Sequence, residues 1–100
     1  MQYTNEYGET YDLTFVKSEY TLGGLAIIAY CEDGPYATVT VWLDEPVTNE
    51  RCAYLDTNNC GHLIGWLIKK GYVKQTFRYA RSGFCEYPEG MFDEEFLNTL

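Results

Sequence analysis

Basic side chains are scarce where this chain of 100 residues begins. Residues 1–50 hold one, Lys17, against nine acids. Six bases (Arg51, Lys69, Lys70, Lys74, Arg78 and Arg81) fall within residues 51–85, and the last fifteen residues hold five acids and no base. The formal net charge is −8. A field of that sign repels nucleic acid and membrane surfaces and attracts basic partners. Long apolar runs are also missing. The longest, Leu25 to Cys31, is the size of a strand, so no membrane-spanning segment is expected. Residues 1–6 lack the basic and apolar regions of a secretory signal, which predicts a cytoplasmic protein.

Catalytic signatures are absent too. There is no G-x-S-x-G, H-E-x-x-H or Walker motif, and Gly23-Gly24 does not open onto a helix as a phosphate cradle must. The single histidine, His62, lies two residues from Cys60, a spacing that points the two to different sides of a helix and argues against a nucleophile pair. Cys52, Cys60, His62 and Cys85 do not have the tight paired spacing of a zinc site. The four cysteines therefore read as free thiols of a reducing compartment. Asp44-Glu45 and Glu94-Glu95 match no calcium loop and read as solvated acids. No metal, no cofactor and no enzymatic activity is expected.

What the chain has is aromatic and β-branched sequence on one domain-sized length, residues 1–100. Residues 9–21 alternate weakly, with Tyr11, Leu13 and Phe15 on one face, and Leu22-Gly23-Gly24 breaks them. Leu25–Cys31 and Tyr36–Leu43 flank Glu32-Asp33-Gly34-Pro35, the signature of an antiparallel hairpin. Cys52–Leu55 is a short strand. Asp56 to Asn59 supply capping residues for a helix over 59–70, with Cys60, Leu63, Ile64 and Leu67 as its buried stripe and Gly71 as its stop. A strand over 72–80 with one basic face follows, then turns at 81–83 and at Pro88-Glu89-Gly90. Asp93 caps a short final helix, with Phe92 and Leu97 placed as a hydrophobic staple. This order predicts an α+β fold: a single antiparallel β-sheet with one main helix and a short C-terminal helix packed on one face.

Three segments carry a resemblance. Leu55-Asp56-Thr57-Asn58-Asn59, Gly71-Tyr72, and Arg81 to Pro88 leading to Met91-Phe92 together resemble a family of small uncharacterised proteins, classed as a domain of unknown function. The resemblance covers mainly residues 52–97. At Glu89-Gly90, where the family pattern favours a bulkier apolar or aromatic residue, this chain departs from it. The family's setting is conjugative elements, plasmids and phages of Gram-positive gut bacteria. The resemblance thus implies accessory cargo of a mobile element, where short acidic proteins often inhibit host defence, anti-CRISPR proteins among them.

Charge and setting together lead to one expectation. The protein is a non-enzymatic acidic inhibitor of DNA-mimic type that docks in a basic nucleic-acid channel of a host defence protein, such as a CRISPR effector. Contact is expected from Glu32, Asp33, Asp44 and Glu45, anchored by Tyr36 and Trp42. The chain is expected to bind neither nucleic acid nor membrane directly, and to be a monomer or homodimer. The alternative is an accessory interaction module of the element, without mimicry. The bases of residues 69–81 are expected to answer the acids within the molecule or to form a polar contact patch.

Overall fold

The computed structural model describes all 100 residues. Nine strands and two helices follow in the order β1 (Gln2–Thr4), β2 (Thr10–Asp12), β3 (Thr14–Glu19), β4 (Leu25–Cys31), β5 (Gly34–Thr38), β6 (Thr40–Val41), β7 (Cys52–Leu55), α1 (Thr57–Lys69), β8 (Val73–Ser82), β9 (Cys85–Phe92) and α2 (Glu94–Asn98). Strand accounts for 48% of the chain and helix for 18%, in three antiparallel sheets: β1-β2, β3-β4-β5 and β6-β7-β9-β8. The single sheet expected from the sequence is therefore replaced by a mostly β architecture.

The physical reason lies at two residues. Alternation runs through both Leu13 and Val39, but each is fully buried, and the ladder breaks there. Leu13 donates its N–H to the Met1 carbonyl while β3 goes on to pair with β4. Val39 donates to Ile27 O at 2.9 Å and accepts from Asp56 N at 2.9 Å, so it joins the β4 neighbourhood to that of β7. Each long alternating segment thus bends at a buried residue and serves two sheets. No periodic signal marks β1 in the sequence, since three residues are too few to carry one.

Helix α1 closes the core with Leu63, Ile64 and Leu67, as the apolar stripe predicts. Asp56 caps it, accepting from Asn59 N at 3.3 Å and from Asn59 Nδ2 at 2.9 Å. The helix is interrupted at Cys60, whose φ of −137° and ψ of 41° lie outside the helical range. The thiol there donates to Thr38 O and Asp56 O. Gly71, at φ 78°, ends the helix, and Tyr72 N returns to Leu67 O at 3.0 Å. Around Tyr3 and Trp66 a run of aromatic contacts links α1 to β1, β3 and α2, and Tyr3 Oη meets His62 Nδ1 at 2.6 Å. His62 is thus an exposed helix residue bonded to a core tyrosine.

The expected turn at Pro88-Glu89-Gly90 is instead the interior of β9, the strand between β7 and β8. Gly90 pairs with Ala53 on one side and Gln75 on the other. A Cβ at Gly90 would lie 2.7 Å from Leu55 Cδ1 and 2.8 Å from Val73 Cγ2. A bulkier residue has no room there, because the neighbouring strands fill that space with their own side chains. Gly90→Ala is expected to destabilise the fold by about 1–3 kcal/mol through overpacking, measured as a lower urea midpoint at unchanged slope.

Candidate functional site

Glu89 is the one fully buried acid, and the sheet is rebuilt locally to hold it. The β8–β9 ladder runs in register to Gln75↔Gly90 and resumes at Tyr79↔Pro88, so three residues of β8 oppose Glu89 alone. Within this bulge Phe77 has φ 68°, a left-handed conformation costly for a residue with a Cβ, and the residue is 79% exposed. Side chains replace the missing ladder bonds. Thr76 Oγ1 donates to Glu89 Oε1 at 2.6 Å, and Arg78 N donates to Thr76 Oγ1 at 3.3 Å. From the other side Thr48 donates twice, its hydroxyl to Oε1 at 2.6 Å and its amide to Oε2 at 2.7 Å.

Burial alone pushes the Glu89 carboxyl up. The bonds from Thr48 and Thr76, with the Arg78 charge, pull it below the ordinary carboxylate value. Glu89 is therefore a buried anion held mainly by hydroxyl and amide donors, with no Lys or Arg nitrogen within 4 Å. No sequence motif marked it. The available signal was an acid inside the aromatic-rich stretch 84–92, which Pro88 and Gly90 disguised as a turn.

Through Thr48 this carboxylate fixes the segment between β6 and β7. Tyr54, also buried, donates from its hydroxyl to Pro46 O at 2.6 Å and gives the segment a second anchor. Opposite lies the β3–β4 turn, where Tyr20 N donates to Gly24 O and Gly23 N to Tyr20 O. Gly23 and Gly24, at φ 90° and 107°, make this tight reversal possible. Between turn and segment run two adjoining hollows of about 380 and 580 Å³ that share Gly24, Leu25, Val47 and Cys52. Tyr20, Leu22, Trp42 and Tyr54 line the first; Glu19, Glu50 and Lys17 line the second.

The six contact residues expected from the sequence divide between two places. Trp42, Asp44 and Glu45 all border the first hollow. Glu32 and Asp33 are exposed at the β4–β5 turn, at the other end of the 34–41 segment. Tyr36 lies at the register shift of that hairpin, half-buried, with its ring 4.7 Å from Tyr11 and 6.1 Å from Tyr3. The Tyr11 hydroxyl is pushed above its ordinary pKa first by Glu9, then by burial, Tyr36, Cys31 and Asp33. Glu45 instead acts on Arg78, whose pKa is raised first by the Tyr54 hydroxyl and then by Glu89 and Glu45.

Close ion pairs are nearly absent from the molecule. Thirteen of the fifteen acids are exposed, and the one ion pair within 4 Å joins the Met1 amino group to Asp12. The bases of residues 69–81 thus make no ion pair within 4 Å with the acids, though Arg78 feels Glu89 and Glu45 at longer range. Lys70 Nζ instead lies 5.6 Å from the Trp66 ring. Burial, then Asp56, raises the Cys60 thiol to about 11, and burial likewise raises Cys52. Both thiols stay protonated at neutral pH, which makes them poor nucleophiles.

The family model of a domain of unknown function (DUF4313) matches residues 14–100, and the chain belongs to that family. The match reaches well before the segments that carried the resemblance, back to the start of β3. No curated protein and no solved structure matches the chain. No helix is long and apolar enough to cross a membrane.

Because Glu89 is depressed, its contribution to stability is complete above the ordinary value of 4.5 and is lost as pH falls through the folded-state pKa. Glu89→Gln places an amide NH₂ among three donors. It is expected to cost about 1.5–3 kcal/mol at neutral pH and to flatten the acid limb of the stability–pH curve, as urea titrations below neutrality will show.

Proposed function

We propose that this member of the DUF4313 family is a non-enzymatic acidic binding protein that occupies a basic nucleic-acid channel of a host defence protein, as an anti-CRISPR or DNA-mimic inhibitor does. The observation that carries this reading is that no lysine or arginine forms a close ion pair with any exposed acid. Exposed carboxylates with no lysine or arginine within ion-pair distance leave their field available to an outside partner. A sheet scaffold supports it as well, because rigid strands hold charges at fixed spacing. The protonated state of Cys52 and Cys60 supports binding over covalent chemistry. The setting we assign is a mobile element of a Gram-positive bacterium, which rests on the resemblance of residues 52–97.

Two acidic surfaces are available to such a channel. One groups Glu9 and Asp33 near Tyr11 and Tyr36, with Glu32 next to Asp33 in the β4–β5 turn; the other is the cleft with Asp44, Glu45 and Trp42. A mimic of a phosphate backbone uses both. Reversing Glu32, Asp33, Asp44 and Glu45 to lysine is expected to reduce capture of nucleic-acid-binding proteins from a host lysate at least about tenfold at an ionic strength of about 0.15 M. The thermal midpoint should hold, since all four side chains are exposed. Captured proteins should be released by added DNA. Capture that survives the reversal, or that DNA does not displace, contradicts the proposal.

A further inference from the structure

We infer that the cleft between the 20–24 turn and the 42–50 segment is a docking groove for an extended lysine- or arginine-rich segment of a partner protein that carries an apolar anchor residue. The inference rests on the acidic-binding reading and narrows it to one site and one ligand chemistry. The groove is apolar within: Leu22 is 77% exposed, Trp42 39% and Val47 37%, all bordering one hollow with buried Cys52, Ala53 and Tyr54. Single exposed apolar side chains are ordinary, but three around one concavity form a binding surface.

Its rim is anionic. Glu19, Asp44, Glu45 and Glu50 border the two hollows against Lys17 alone. A wholly apolar partner would strip water from four carboxylates without replacing it. A uniformly cationic partner would leave Leu22 and Trp42 wet. Cations on either side of an aliphatic or aromatic anchor satisfy both, with the stems of lysine or arginine lying along the apolar lips. Order in the groove wall adds to this. Thr48 is fixed to Glu89 and Pro46 to Tyr54, so little conformational freedom remains to be lost on docking.

The test uses the full chain and short fluorescein-labelled peptides of equal length: one lysine-rich with central leucines, one all-lysine, and one with glutamate in place of lysine. The lysine–leucine peptide should bind at least about tenfold more tightly than either other peptide. Trp42→Ala, and separately Asp44→Lys with Glu45→Lys, should each weaken it about tenfold or more. Glu94→Lys with Glu95→Lys, which line neither hollow, should not. Circular dichroism melts identify any variant that fails to fold, and Leu22→Ser then serves as the second probe of the apolar lip. If the all-lysine peptide binds equally well and Trp42→Ala has no effect, the groove assignment falls while the acidic-surface reading stands. If no cationic peptide binds at low salt, both fall. If sedimentation shows the chain filling the groove with a second copy of itself, the assignment to a foreign basic segment is overturned.

Discussion

A single buried carboxylate ties the four-stranded sheet to the connection between β6 and β7. Glu89 sits in the middle of the four-stranded sheet, yet the three residues that hold it, Thr48, Thr76 and Arg78, come from two separate parts of the chain, the β6–β7 connection and β8. Burying an anion without an ion pair is costly, and the cost is met only if its oxygens are saturated by donors. That requirement explains features that otherwise look unrelated. It accounts for the bulge of β8, the unusual backbone of Phe77, and the placement of Thr48, more than forty residues earlier in the chain. It also makes Gly90 intelligible, since the residue beside Glu89 points to the opposite face, where Leu55 and Val73 meet.

Holding Thr48 has a consequence at the surface. The long connection between β6 and β7 would otherwise be free to move, being polar, exposed and rich in acids. Anchored at Pro46 and Thr48, it becomes one wall of a cleft and fixes Asp44 and Glu45 in space. Charge therefore acts here in two opposed ways. The buried anion is bonded on both oxygens and serves order, while the exposed anions, Asp12 apart, have no ion pair within 4 Å and are free for the recognition proposed here. The same chemical group does both tasks, separated only by solvent access.

Local signals in the sequence carried much of the fold. The Asp56 cap, the apolar stripe of α1 except for Cys60 at the helix break, the Gly71 stop, the β4–β5 hairpin and the Asp93 cap of α2 all arise from neighbours within a few residues, and all are present. What escaped was non-local. A buried bend at Leu13 or Val39 leaves alternation intact, so two sheets look like one strand. Pro88-Glu89-Gly90 has the composition of a turn. It is a central strand because Thr48, Thr76 and the packing of Leu55 and Val73 supply what the local sequence does not. Of the expected contacts, Trp42, Asp44 and Glu45 come together, whereas Tyr36 is drawn toward Tyr3 and Tyr11 by a register shift that alternation cannot reveal.

The most direct measurement of this account is native-state amide exchange across residues 44–51, compared between the wild-type chain and Glu89→Gln. If Glu89 is the anchor, the Thr48 amide exchanges slowly, as a core amide does, and the substitution speeds exchange in this segment well before the amides of α1 respond. A Thr48 amide that exchanges as fast as a free loop in the wild-type chain, or a substitution that loosens α1 and residues 44–51 equally, would contradict the claim that one buried carboxylate holds the wall of the cleft.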